Sequence, residues 1–346
     1  MPKPTIYDVA RIAGVGVGTV SRVLNKSPQV SPETAEKVLS AIGALGFRRS
    51  KIARQLSTGV QHRNIGAIMP FISHPSFVER LRGMQLALNH RHNSFNLVLY
   101  NVSDPDRYQE QLIAIIEQAA VDGLLIATLN VSDEQRTLLT QGGIPFVTLS
   151  DAHVDEANGI SLDNKYGGYL ATQHLLDLGH RRVAYVGDEF SNVYDFPTSK
   201  LRYSGYLSAL KEYNIPFRSD YVGLGMHGEE AAHTLTAHLL ALREPPTAIF
   251  AMSDIQAIGC IQAIREAGLR IPDDLSVIGF DDVQMSRYIG LTTVRQHLEQ
   301  SGYLGMQLLL DMLMTPDTIV PRELPPLELI VRGTTQPYSG QDAEAS

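Results

Sequence analysis

Thr5-Ile6-Tyr7-Asp8-Val9-Ala10-Arg11-Ile12-Ala13-Gly14-Val15-Gly16-Val17-Gly18-Thr19-Val20-Ser21-Arg22-Val23-Leu24-Asn25 contains two short helical patterns separated by a glycine. Apolar residues at 6, 9, 10 and 13 fall on one face of a helix, and Thr5 is placed to cap it. Gly14 stops that helix. A second runs from Val17 to Leu24, with Val20, Val23 and Leu24 facing inward. A third opens at Ser31-Pro32-Glu33, which supplies an N-cap, a proline at the first helical position and an acid in the first turn. It runs to about Leu45 and ends at Gly46. Two short helices joined by a tight turn, with a third behind them, describe a helix-turn-helix. The glycines at 14, 16 and 18 invite a rival reading as a dinucleotide loop. The third glycine of that fingerprint would fall at Thr19, and what precedes it is helical rather than a buried strand.

Charge agrees with a nucleic-acid partner once the chain is divided. The whole chain of 346 residues carries −8. Residues 1–63 hold ten Lys or Arg against three acids, a charge of +7, and the remainder carries −15. Such asymmetry marks a basic head on an acidic body, the alternative being a solvated basic surface with no partner. The length exceeds the roughly 250–300 residues of one core, so more than one domain is expected. Cys260 is the single cysteine, which excludes an internal disulfide and a cysteine-based metal site. No signal-peptide core follows the start and no run reaches the ~20 apolar residues of a membrane span, so the expectation is a cytoplasmic protein with no membrane partner.

The motif Thr5-Ile6-Tyr7-Asp8-Val9-Ala10 … Ala13-Gly14-Val15 … Thr19-Val20-Ser21-Arg22-Val23-Leu24-Asn25 closely resembles the DNA-binding head of the lactose-repressor family of bacterial transcription regulators. The resemblance implies that the second helix enters the major groove, where Val17, Gly18 and Arg22 match base-reading positions. Arg22 would fork onto guanine, and Val17 would meet a thymine methyl. Thr5, Tyr7, Ser21, Asn25 and Ser31 match positions that hold phosphates. Two residues depart from the pattern. Gly16 replaces a capping serine, and Gly18 offers no side chain to a base. Residues 50–63 match a hinge helix and linker, in which Leu56 would wedge into the minor groove and Ala53 lie near its floor. Read without the resemblance, two turns of helix are too short to hold alone and form a plain flexible linker.

From Asn64 onward, short apolar runs alternate with helical stretches such as Phe77–His90 and Asp106–Ala119. Ile65–Met69, Leu97–Tyr100, Leu124–Ala127 and Phe146–Leu149 form one series. Val183–Val186, Ala248–Ala251 and Val277–Phe280 form a second. Strands buried on both faces and separated by helices indicate parallel sheets, and two series indicate two sub-domains with a cleft between them. The resemblance extends to Val331 through Ser161-Leu162-Asp163-Asn164, Leu178-Gly179-His180 and Ser276-Val277-Ile278-Gly279-Phe280-Asp281-Asp282. It implies a small all-α helix-turn-helix head (1–49) on an α/β periplasmic-binding-protein-like body (64–335) with two doubly wound parallel-sheet sub-domains. Residues 336–346 would be a disordered tail.

The resemblance also implies an effector site in the cleft. Arg202 matches an arginine whose planar fork clamps hydroxyls or a carboxylate, and Asp281 a carboxylate that accepts from the ligand. Ser253 is read as a ligand contact beside Asp254, Phe77 as a stacking face, and Thr198 and Asp163 as further contacts. Asp282 is read equally as a ligand contact or a helix cap, and most of the eleven histidines as surface or capping residues. Nucleophile elbows, metalloprotease helices and paired metal ligands are absent from the sequence, so neither an enzyme nor a cofactor or metal is expected. The resulting expectation is a homodimeric repressor on a pseudo-palindromic double-stranded DNA operator, switched by a small molecule, with a sugar favoured. The alternatives are a purine-responsive corepressed regulator and a ligand-binding protein whose head, with Gly16 and Gly18, is vestigial.

Overall fold

The computed structural model describes residues 5–24, 29–45, 63–90, 95–102, 104–118, 120–150, 158–191, 196–315 and 320–340. Head and body form two compact units. In the head, α1 spans Ile6–Ala13, α2 Val17–Leu24 and α3 Pro32–Leu45. Thr5 and Asp8 form a reciprocal capping box at the start of α1, which satisfies two backbone donors that a helix start otherwise leaves open. Gly14 ends α1 in the left-handed region at φ 67°, the conformation a residue with a Cβ avoids. Val9, Ala10, Val20, Val38 and Ala41 make the small core that the three helices share. Asn25, Ala53 and Leu56 lie outside the described residues, as does the expected hinge helix.

The body has two lobes, each a parallel sheet between helices. The first sheet contains β1 (Arg63–Pro70), β2 (Phe95–Val102), β3 (Gly123–Ala127), β4 (Phe146–Ser150) and β5 (Gly159–Ser161), in the order β2-β1-β3-β4-β5. Helices α4 (Pro75–His90), α5 (Pro105–Glu117) and α6 (Asp133–Gly142) connect its strands. The second sheet contains β6 (Val183–Asp188), β7 (Val222–Gly225), β8 (Ala248–Ala251), β9 (Ser276–Asp281), β10 (Thr292–Arg295) and β11 (Glu328–Ile330), in the order β11-β10-β9-β8-β6-β7. Its helices are α7 (Asn164–Asp177), α8 (Thr198–Glu212), α9 (Glu229–Leu240), α10 (Asp254–Glu266) and α11 (Gln284–Tyr288). Helix α12 (Leu298–Met314) completes the body. Apolar clusters cover both faces of each sheet, as parallel strands require.

Four findings differ from the sequence reading. Strand β2 is an edge strand, so its run is not doubly buried, and Leu99 is 43% exposed. The second sheet is mixed, because β11 pairs antiparallel with β10. The two lobes are not consecutive in sequence: α12 follows the second sheet's β10 yet packs on α4, β3 and β4 of the first lobe. The chain therefore crosses between lobes before α7, before α12 and again before β11. Finally, the body extends past 335. Gln336 N–H donates to Ser276 Oγ and Tyr338 N–H donates to the carbonyl of Leu178, so the first residues of the expected tail are packed. Among the described residues no helix is long and apolar enough to cross a membrane.

In both sheets the first strand lies between the second and the third, so the strand order reverses there. Ligands bind at such switch points, beyond the carboxyl ends of the strands. The switch points are β1/β3 in the first lobe and β6/β8 in the second.

Candidate nucleic-acid interface and inter-lobe cleft

On the head, α2 buries Val20 and turns Gly18 and Arg22 outward. Val17 is half-buried and packs partly against the head's own core, which leaves only part of its surface for a partner. Arg22 has no hydrogen bond or ion pair among the described residues. A side chain added at Gly18 would meet only the tip of Arg22, at 4.0 Å, so the glycine leaves the guanidinium room to lie along the helix. The turn is closed by Val15 N–H donating to the carbonyl of Ala10 at 3.0 Å. Gly16 accepts at its carbonyl from Thr19 and Val20 and starts α2 without a side-chain cap. Thr5 and Tyr7 are exposed, Tyr7 by 72%, and Ser21 is half-buried. Ser31 Oγ accepts from the backbone of Thr34 at 3.3 Å, the expected cap of α3.

In the body, Arg202 and Asp281 come together as expected, but below the surface. Arg202 is 4% exposed and Asp281 5%. The guanidinium donates from Nε to Asn164 Oδ1 at 2.8 Å and from a terminal nitrogen to the carbonyl of Met252 at 2.5 Å. It stands 3.6 Å from Asp281 Oδ1 and 3.6 Å over the Phe280 ring centroid. It is therefore a buried group rather than an open fork, with two of its five N–H donors already committed. Asp281 also accepts from Gln296 and takes φ 126°. Burial raises its pKa, against the cations Arg202 and Arg80 and the Gln296 hydrogen bond. Beneath it, Asp254 accepts from Val283 N, Ser286 Oγ and Thr293 Oγ1, which ties β8, β9 and β10 together.

The other expected contacts are dispersed. Ser253 caps α10, accepting from Gln256 N–H at 3.2 Å and donating to that residue's side-chain oxygen. Asp163 is exposed and caps α7 through Tyr166 N–H at 2.9 Å. Thr198 is the first residue of α8 and is half-buried. Phe77 is 7% exposed and belongs to the first lobe's core. Asp282 is not a helix cap: its buried carboxylate takes Arg295 at 2.8 Å and Arg332 at 2.5 Å. The pair pins β10 and the chain after β11 to the end of β9. A cavity of about 440 Å³ opens beside it, lined by residues of both lobes, among them Glu79, Arg82, Asp281, Arg287 and Glu299.

Histidines matter more than the sequence reading allowed. His180 is buried, within 3.0 Å of Thr247 Oγ1 and 3.1 Å of Ser276 Oγ, and burial holds its pKa down at about 4. At the cleft, His74 from the β1–α4 loop and His227 from the β7–α9 loop meet, with Asp188 at the end of β6 behind His227. These residues are 153 apart in sequence and carry no motif. The only sequence signal is that His74 follows the apolar run Ile65–Met69, beyond which a switch-point ligand site would be sought.

Comparison with known proteins agrees with both units. Residues 5–50 match the model for bacterial regulatory proteins of the lacI family, and residues 172–335 match the periplasmic binding protein-like domain. The transcriptional repressor PurR of Mannheimia succiniciproducens is 36% identical over 318 residues, 90% of this chain and 93% of the relative. Among solved structures, the complex of the regulator CelR with cellobiose has a TM-score of 0.67 and 29% identity, covering 96% of this chain and 99% of that one. The lac repressor dimer bound to operator and an anti-inducer has a TM-score of 0.68 and 28% identity, covering 97% and 100%. The relatives are transcriptional regulators rather than enzymes. A helix-turn-helix head, a two-lobed body and this identity along nearly the whole chain together make it a member of the lacI family of bacterial regulatory proteins.

Proposed function

We propose that this family member is a homodimeric, cytoplasmic repressor that reads a pseudo-palindromic operator and answers to a neutral, hydroxyl-rich ligand, a sugar, in the inter-lobe cleft. The observation that carries the DNA half is Arg22: it stands on the exposed face of α2 with no competing partner among the described residues. Val17, Gly18 and Ser21 lie on the same helix, and Thr5, Tyr7 and Ser31 supply phosphate contacts from the other two helices; Asn25, Ala53 and Leu56 complete the proposed interface. A vestigial head fits poorly with a complete capping box and a packed three-helix core.

The ligand class follows from what lines the cleft. Asp188 and Asp281 supply acceptors, and the imidazoles of His74 and His227 supply either role, whereas Arg202 is buried with two of its five N–H donors engaged. Acceptor-rich walls favour a ligand that donates several hydrogen bonds over a phosphate or carboxylate. Ser253, Asp163, Thr198 and Phe77 are kept as lesser contacts to be tested by substitution. Dimerisation is supported by apolar side chains left exposed on α4 (Val78 41%, Leu86 38%) and α11 (Met285 51%, Tyr288 76%).

Fluorescence anisotropy on operator fragments selected from random DNA, with a panel of sugars and purine bases, tests both halves. A sugar that changes operator affinity supports the reading. A response confined to purines replaces the sugar with the purine-responsive alternative, and no selected operator overturns the DNA half.

A further inference from the structure

His74 Nε2 and His227 Nε2 lie 2.8 Å apart, with ring centroids separated by 4.7 Å. His74 Nδ1 is 2.9 Å from Ser76 Oγ. His227 Nδ1 is 3.0 and 3.1 Å from the two oxygens of Asp188, which also accepts from Gln256 Nε2 at 2.8 Å. Ser76, His74, His227 and Asp188 thus form one file of hydrogen bonds whose middle link joins the lobes.

A short contact between two ring nitrogens needs one N–H and one lone pair. With both rings neutral, His227 donates from Nδ1 to Asp188 and accepts at Nε2 from His74, while the Ser76 hydroxyl donates to His74 Nδ1. With one added proton, the His227 imidazolium donates to Asp188 and to His74, and His74 donates from Nδ1 to Ser76. With a second proton both Nε2 atoms carry hydrogen, and the link cannot form. We propose that this pair is a proton-gated latch, holding the lobes together while the two rings share at most one added proton and releasing them when each ring carries its own.

The charges around the pair assign the protons. Burial, then the neighbouring His227, hold His74 down at about 4; Arg80 adds to this, and Asp188 opposes it. Burial also works against charge on His227, but the Asp188 hydrogen bond and charge, helped by Asp281, outweigh burial and Arg202 and leave its pKa above the ordinary value. Opening the lobes would return His74 toward the ordinary ~6.5. Closure therefore expels a proton from His74 between about pH 6.5 and about pH 4. The closed state is fully favoured above about 6.5, and its equilibrium constant falls by up to tenfold per pH unit between there and about 4.

The latch regulates the cleft read above as the effector site, but its test uses the full chain without ligand or DNA, so its failure would leave that reading standing. Gln141→Cys and Lys211→Cys place spin labels on exposed positions of α6 and α8, one per lobe, while the fully buried Cys260 stays unlabelled. Distance distributions between the labels, measured from pH 7.5 to 5.0, are expected to shift toward the open state as pH falls. His74→Gln retains a neutral donor and acceptor but does not titrate in this range, so its distribution is expected to stay closed throughout. A wild-type distribution that does not change, or a Gln variant that opens as the wild type does, overturns the latch. Ring-carbon NMR shifts give an independent check: a His74 that titrates near 6.5 in the wild type overturns it as well.

Discussion

The worth of an arginine depends on what its guanidinium already touches, and the chain holds one at each extreme. Arg202 is buried against Asn164, the Met252 carbonyl and Asp281. Removing it strands a buried carboxylate, which typically costs about 3–5 kcal/mol. Arg202→Ala is therefore expected to lower the unfolding free energy of the body by that amount, measured as a lower denaturant midpoint, before any ligand effect can be read. Arg22 is exposed on α2 and has no hydrogen bond or ion pair among the described residues. Arg22→Ala is expected to leave stability within about 0.5 kcal/mol and to cost operator affinity about 1–3 kcal/mol, with relaxed specificity at one base, read by anisotropy on wild-type and mismatched operators. The sequence marked both arginines, but not their difference in burial, which comes from strands up to 79 positions away in the case of Arg202 and Asp281. His74 and His227 were passed over for the same reason, since nothing local joins residues on different lobes.

Elements were legible where their causes are local. The three head helices were placed closely because caps, a proline and a left-handed glycine mark their ends. Thr5→Ala is expected to cost the isolated head about 1 kcal/mol, visible as a lower thermal midpoint. The central strands were found from their apolar runs, whereas β5, β7, β10 and β11, at three or four residues each, fell below any periodicity signal. Helix packing was not legible at all. A Cβ added at Gly302 of α12 would come within 1.9 Å of the Arg80 carbonyl on α4, and one at Gly83 of α4 within 1.8 Å of the Glu299 carbonyl on α12. Because backbone, not a flexible side chain, is in the way, Gly302→Ala is expected to destabilise the body by about 3 kcal/mol or more, beyond the usual range for overpacking, as measured by urea denaturation.

For the whole molecule, net charge was the poorest guide and its distribution the better one. A head at +7 against a body at −15 predicts steep loss of operator affinity with salt, with a slope of log affinity on log salt near −0.9 for each phosphate neutralised. Affinity that is flat between 50 and 200 mM salt would contradict that reading of the head. Tyr288→Asp, on the exposed apolar face of α11, is expected to shift the chain toward monomer in sedimentation and to weaken operator binding with it. Lobe membership could not be read from chain order, because α12 returns to the first lobe after the second has been nearly completed. That threading has a mechanical consequence. Three connections between the same two bodies strongly restrict sliding and leave rotation about the line of crossings as the easiest motion. It also makes the lobes inseparable by any single cut of the chain, so neither can be inherited, expressed or lost alone.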